Sequence, residues 1–272
     1  MTVLGDLPPL REVIAKHGLA AKRSLGQHFL LDANLLDRIV RAAGDLAGRH
    51  VVEVGPGPGG LTRALLGSAA ASVTAVELDD RAIAALQDLL AATAPRFALV
   101  TGDALRLDLA TTGPAPRQII ANLPYNIGSP LLVGWLRQAA AWERLTLMFQ
   151  LEVAERIVAA PGTDDYGRLS VLAQWLCTVD MALRVPPDAF VPPPKIWSAV
   201  VRLTPHAIQP PADLFAAMER LTAAAFGQRR KMLRGSLKSL GGEALLSRAG
   251  IAGDRRAETL DIAEYDRLVR IV

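Results

Sequence analysis

The chain has 272 residues, 51% hydrophobic and 21% charged, with 22 glycines and 18 prolines; this mixture excludes disorder, collagen and fibrous repeats and fits one sizeable core plus a small appendage. The single cysteine, Cys177, excludes an internal disulfide, and with no apolar leader in residues 1–11 and no run of about eighteen apolar residues, a cytoplasmic protein without a membrane span is expected. The net charge of +3 is unevenly placed: residues 51–183 carry 9 Lys/Arg against 13 Asp/Glu, a net of −4, whereas residues 184–240 carry 9 against 3, a net of +6. A basic stretch attracts polyanions, nucleic acid above all, although a solvated face has the same composition.

In chain order, residues 1–48 read as a helical segment. Leu35, Leu36, Ile39, Val40 and Ala43 are spaced on one helical face behind Asp32 and Asn34, either of which can cap. A loop-like KRSLGQHFL, residues 22–30, precedes them. From residue 51 apolar strand candidates alternate with helical stretches, at 51–54, 73–78, 97–100, 119–123 and 145–151. That rhythm predicts an α/β fold with a parallel sheet and crossover helices. An apolar helix over 170–177 is followed by strands at 182–185 and 199–203, which flank the loop PPDAFVPPPKIWS. Beyond Pro210 and Pro211 the chain reads as all helix: Leu214, Met218, Leu221 and Ala225 share a face, and Asp261 and Glu264 are spaced as a capping box. A domain boundary is expected near 205, giving domains 1–205 and 206–272.

The segment VVEVGPGPGGLT, residues 51–62, places glycines where a strand turns into a helix, allowing a tight turn and close approach of backbone to a ligand. Gly55, Gly57 and Gly60 satisfy the dinucleotide fingerprint, and Glu77 ends the next strand, where an acid grips ribose hydroxyls. Asp103 follows the third strand, placed to accept from an adenine amino group, and Glu53 stands just before the glycines. Several acids at one end of the sheet tolerate a cationic sulfonium better than a pyrophosphate, which favours S-adenosylmethionine over NAD(P).

The tetrapeptide NLPY, Asn122–Leu123–Pro124–Tyr125, ends the fourth strand. An exocyclic amine on a base is a poor nucleophile because its lone pair is delocalised into the ring. Asn122 Oδ1 and the backbone carbonyl of Leu123 or Pro124 can accept its hydrogens and favour a pyramidal nitrogen. Pro124 fixes the backbone, and Tyr125 offers a face to an extruded base.

With KRSLGQHFL, VVEVGPGPGGLT, VELD, GDAL, NLPYNI, YGRLSV, FVPPPKIWSAVVRLTP and FGQRRKMLRGSL, the chain resembles the ribosomal RNA adenine N6,N6-dimethyltransferases of the bacterial small-subunit type over nearly its whole length. The resemblance implies a Rossmann-like S-adenosylmethionine-dependent domain with a small all-helical C-terminal domain. It implies a monomer in the cytoplasm that dimethylates two adjacent adenosines in the 3′-terminal hairpin of 16S rRNA, within the small subunit. By position, His28 and Leu30 would cover the methionine part of the cofactor, Gly55 would lie beneath it, Glu77 would hold the ribose and Asp103 the adenine. Asn122 would sit between cofactor and target amine, with Tyr125 and Phe190 sandwiching the adenine. Position 28 carries Asn in many relatives; histidine keeps a hydrogen-bonding group there and adds a titratable one.

Phe190, in the proline-rich loop, is expected to be an exposed aromatic on a stiff backbone, with a core plug as the plainer alternative. Arg229, Arg230, Lys231, Arg234 and Lys238 are expected on a helix-like stretch, and the resemblance implies that part of this set contacts the RNA backbone. Cys177, among apolar residues, reads as a structural thiol, and no metal is expected. Two other readings stand beside this one: a large-subunit adenine dimethylase conferring antibiotic resistance, and an assembly factor whose binding matters more than its methylation.

Overall fold

The computed structural model describes residues 3–19, 28–228 and 230–272. Before the sheet lie α1 (Leu10–Lys16), the short strand β1 (Phe29–Leu30) and α2 (Ala33–Ala42). Asp32 caps α2 by accepting from the Asn34 and Leu35 amides, and Leu35, Leu36, Ile39 and Val40 form its buried face.

The centre of the sheet is β2 (His50–Val54), buried along its whole length as befits a strand covered on both faces. Helix α3 (Gly60–Gly67) leads to β3 (Ser72–Glu77); α4 (Asp80–Ala85) and α5 (Gln87–Thr93) lead to β4 (Phe97–Thr101). The chain then crosses back to β5 (Arg117–Asn122), continues through α6 (Gly128–Leu136) to β6 (Arg144–Gln150), and through α7 (Leu151–Val158) and α8 (Arg168–Leu176) to β7 (Cys177–Val185). A short strand β8 (Phe190–Val191) pairs with β1 apart from the main sheet, and β9 (Ser198–Pro205) completes the sheet.

The main sheet has seven strands in the order β4-β3-β2-β5-β6-β9-β7. The first five are mutually parallel, and β9 and β7 add an antiparallel end. Strand order reverses between β2 and β5, and in open α/β sheets the crevice at the carboxyl ends of such strands takes the ligand. Strand β7 begins already at Cys177, earlier than its apolar run suggests, because it is an edge strand in which exposed and part-buried residues interleave.

After β9 the chain is helical: α9 (Leu214–Gly227), α10 (Leu233–Ser236), α11 (Gly242–Ala249) and α12 (Ile262–Val269). Asp261 and Glu264 form the reciprocal capping box at the start of α12. One apolar cluster runs from sheet residues such as Ile119 and Leu147 through α8 into Leu221 and Tyr265 of these helices. Trp175 Nε1 donates to Asp266 Oδ1 at 2.9 Å across the same contact.

Candidate active site

The carboxyl ends of β2, β3, β4 and β5 meet at the reversal point. Strand β2 runs into Gly55, whose φ of +69° is a left-handed conformation that side chains rarely adopt. Gly60 opens α3 so close to the Leu30 carbonyl that a Cβ would come within 2.9 Å of it. Glu77, ending β3, bridges back to this turn: Oε2 accepts from the Gly57 amide at 3.3 Å, and Oε1 from the Leu78 and Asp79 amides at 2.8 and 2.9 Å. Beyond β4, Asp103 Oδ1 accepts from the Leu105 amide at 2.9 Å, and its carboxylate faces Arg106 at 3.6 Å.

His28, Leu30, Glu53, Gly55, Glu77, Asn122 and Tyr125 line one cavity. An adjoining cavity is lined by Gly55, Glu77, Asp103, Pro124 and Asn126, so Gly55, Glu77 and Pro124 are shared walls. Every cofactor-binding residue expected from the sequence therefore borders one of these two adjoining cavities. Glu53 is 1% exposed, and burial pushes its carboxyl up to about 8, with Glu77 adding to the rise and the Thr62 hydroxyl opposing it. The cleft has the acids, the glycine turn and an enclosed carboxyl oxygen, Glu53 Oε2, without a hydrogen-bond partner, all of which suit a cationic nucleotide-like cofactor.

The NLPY segment is divided by its own hydrogen bonds. Asn122 Nδ2 donates to the His28 carbonyl at 3.3 Å, which turns the amide so that Oδ1 remains as an acceptor. The Pro124 carbonyl accepts from the Ile127 and Gly128 amides at 3.2 and 3.1 Å and so starts α6. Of the two carbonyls considered from the sequence, that of Leu123 carries no corresponding turn bond, while the Leu123 side chain is core. The Tyr125 hydroxyl lies 2.7 Å from Ser198 Oγ, and burial raises its pKa. Ser198 escapes notice in the sequence because only the fold brings β9 beside this turn.

Phe190 departs from expectation. It is 2% exposed, pairs with Leu30 in the β1–β8 ladder and packs among Val185 and Val200. The ring packs inward, where its burial stabilises the fold by roughly 1.5–3 kcal/mol, more than solvent exposure on a rigid loop would allow. The His28 ring is near both aromatics, its centroid 5.5 Å from Tyr125 and 6.3 Å from Phe190. His28 Nδ1 is 2.8 Å from the Pro192 carbonyl, which only accepts, so that nitrogen carries the hydrogen.

The basic residues also differ from the expected single helix. Helix α9 stops at Gly227, and exposed Arg230 and Lys231 occupy a turn in which the Lys231 amide donates to Gln228 O at 2.8 Å. Arg234 is exposed on α10, Lys238 is exposed just after it, and Arg229 lies outside the described residues, as do residues 22–27 of the KRSLGQHFL motif. The helix ends here because Gly227 and the polar residues after it supply no apolar face to continue it. Cys177 is 1% exposed, and burial pushes its thiol up to about 12, which leaves it inert. Among the described residues, no group of three or more His, Cys, Asp and Glu side chains is placed to hold a metal ion, and no helix is long and apolar enough to cross a membrane.

Comparison with known proteins identifies the constellation. The family model described as ribosomal RNA adenine dimethylase matches residues 18–272. The chain belongs to the ribosomal RNA adenine dimethylase family. It is an enzyme that uses S-adenosylmethionine, and its fold is the Rossmann-like methyltransferase fold. It is similar to the ribosomal RNA small subunit methyltransferase A of Gluconobacter oxydans, 63% identical over 98% of this chain and 88% of the relative. To the protein of the same name from Rhodospirillum rubrum it is 56% identical over 98% of this chain and 94% of the relative. Among solved structures it is similar to a dimethyladenosine transferase from Plasmodium falciparum, with TM-score 0.73, 26% identity and coverage of 89% of this chain and 96% of that one. The 23S rRNA methyltransferase ErmE is also similar, with TM-score 0.65, 29% identity and coverage of 89% and 98%.

Proposed function

We propose that this protein methylates N6 of two adjacent adenosines in the 3′-terminal hairpin of 16S rRNA, within the small ribosomal subunit, to give N6,N6-dimethyladenosine. The observation that carries this reading is identity of 63% and 56%, over 98% of the chain in each case, to proteins named for the small subunit, against 29% to the 23S enzyme. The protein acts as a monomer in the cytoplasm and serves small-subunit biogenesis.

When bound, S-adenosylmethionine supplies an electrophilic methyl group on a cationic sulfur. Glu77 holds its ribose, Asp103 its adenine, and Leu30, Gly55 and the backbone of His28 enclose its methionine end. Asn122 Oδ1 and the Leu123 carbonyl accept the two hydrogens of the target amine and so direct its lone pair toward the cofactor side of the cleft. The base stacks on Tyr125 in the place held by the His28 ring, with Phe190 as the inner wall. Positioning and these acceptors supply the rate enhancement, and the proton leaves to solvent. Arg229, Arg230, Lys231 and Arg234, in residues 206–272, contact RNA phosphates and fix register rather than sequence.

The test is transfer of labelled methyl groups to small subunits from a strain lacking this modification, with nucleoside mass spectrometry of the digested RNA. Dimethyladenosine in 16S rRNA is the expected product. Transfer only to large-subunit RNA would overturn the reading.

A further inference from the structure

Glu53 is a carboxyl almost completely buried within β2, 1% exposed. Its Oε2 makes no hydrogen bond, and the polar side chain that bears on its carboxyl is the Thr62 hydroxyl on α3, itself without a well-formed bond. The other titratable groups on this cavity's wall are Glu77 from β3, His28 beside β1 and Tyr125 beyond β5, with no lysine or arginine among the described residues that line it; the adjoining cavity adds Asp79, Asp80, Arg81 and Asp103. A buried carboxyl without a cation is held neutral, since an unpaired charge there costs far more than a proton. The direction and cause of its shift, burial first and Glu77 second, agree with that geometry.

We propose that Glu53 reads the charge of the cofactor: near pH 7 it is neutral in the free protein and beside the thioether product, and ionised when the cationic sulfonium occupies the cavity. It thereby sets the preference for reactant over product. The inference rests on the cofactor class and is independent of which RNA is methylated. The protons balance. Binding of the sulfonium releases one proton from Glu53; transfer breaks the C–S bond, forms the C–N bond and moves the positive charge to N6. The amine then loses one proton to solvent, and Glu53 regains one as the thioether is left neutral. One turnover releases one net proton, as the uncatalysed reaction does.

The test is a proton inventory by titration calorimetry of the intact protein at pH 7, in buffers of differing ionisation enthalpy. The ligands are S-adenosylmethionine, S-adenosylhomocysteine and sinefungin, in which an amine replaces the sulfonium. The two cations are expected to release about one half to one proton each and the thioether close to none. Equal release by all three would assign the effect to the shared methionine ammonium and overturn the proposal. In Glu53→Gln, affinity for S-adenosylmethionine should fall about tenfold while that for S-adenosylhomocysteine stays within about twofold, and the difference in proton release should vanish. Equal weakening of both ligands would also overturn it. Should the variant not fold, the proton count on the unaltered protein decides.

Discussion

The His28 imidazole lies 5.5 Å from the Tyr125 ring, tilted by 31°, with Nδ1 bonded to the Pro192 carbonyl. A flat nitrogen heterocycle thus occupies the space beside Tyr125 that the proposed reaction gives to an adenine. The side chain has to yield that space, so its bulk matters more than its basicity. His28→Asn, which keeps a donor for Pro192, should retain kcat/KM within about threefold. His28→Trp should lower it at least about tenfold while the Kd for S-adenosylmethionine, measured by calorimetry, changes little. A Trp variant of full activity would exclude this use of the slot.

Phe190 gives a prediction about stability. Since its ring is buried between β1 and the sheet, Phe190→Ala should cost about 3–5 kcal/mol in urea denaturation, the range for emptying an aromatic site in a core. A solvent-facing loop residue would change stability by no more than about 0.5 kcal/mol. Phe190→Leu should recover most of the loss in stability without restoring stacking, which separates the two contributions.

Glu53 makes the ligand-free fold sensitive to pH in an unusual direction. Its carboxyl is raised from 4.5 to about 8 in the fold, so between those values the native state binds a proton that the unfolded chain has lost. Stability from this group is therefore full below pH about 4.5, falls as pH rises through that window and is flat above pH about 8. Urea midpoints at pH 5.5, 7 and 8.5 should decline for the wild type more steeply than for Glu53→Gln, and the variant should be the more stable at pH 8.5.

The turn after α9 should govern RNA binding through charge alone. Removing Arg230 or Lys231 should weaken binding to small subunits, reduce the slope of log K against log salt by about 0.7–0.9 per lost phosphate contact, and leave cofactor binding unchanged. Filter binding across a salt series reads both quantities. An unaltered slope in the double Arg230→Ala, Lys231→Ala variant would remove these residues from the interface.

Much of this arrangement was legible in the residues. The glycine turn, Glu77, Asp103 and NLPY each sit at a strand end that periodicity alone locates, and Asp32 and Asp261 cap the helices that their spacing predicts. What stayed hidden depends on partners distant in sequence. Phe190 reads as a loop aromatic because its pairing with Leu30 spans most of the sheet domain, and β7 reads short because an edge strand lacks a continuous apolar run. The basic run looks helical, whereas in its described part, residues 230–238, Gly227 before it and the apolar anchor at Leu233 give a turn and a short helix. The choice between the Leu123 and Pro124 carbonyls needed the turn bonds that start α6.

The two-rung ladder of β1 and β8 has a mechanical meaning. Leu30 presses its carbonyl against Gly60 at the head of α3 and, in the same rung, pairs with Phe190. The floor of the proposed cofactor cleft and the inner wall of the proposed base slot thus sit on two directly paired strands. Reshaping the cleft for a bulkier cofactor analogue by substitution at Gly60 would displace Leu30 and, through the rung, narrow or widen the slot beside it. The dimensions of the two compartments are set together and cannot be varied one at a time.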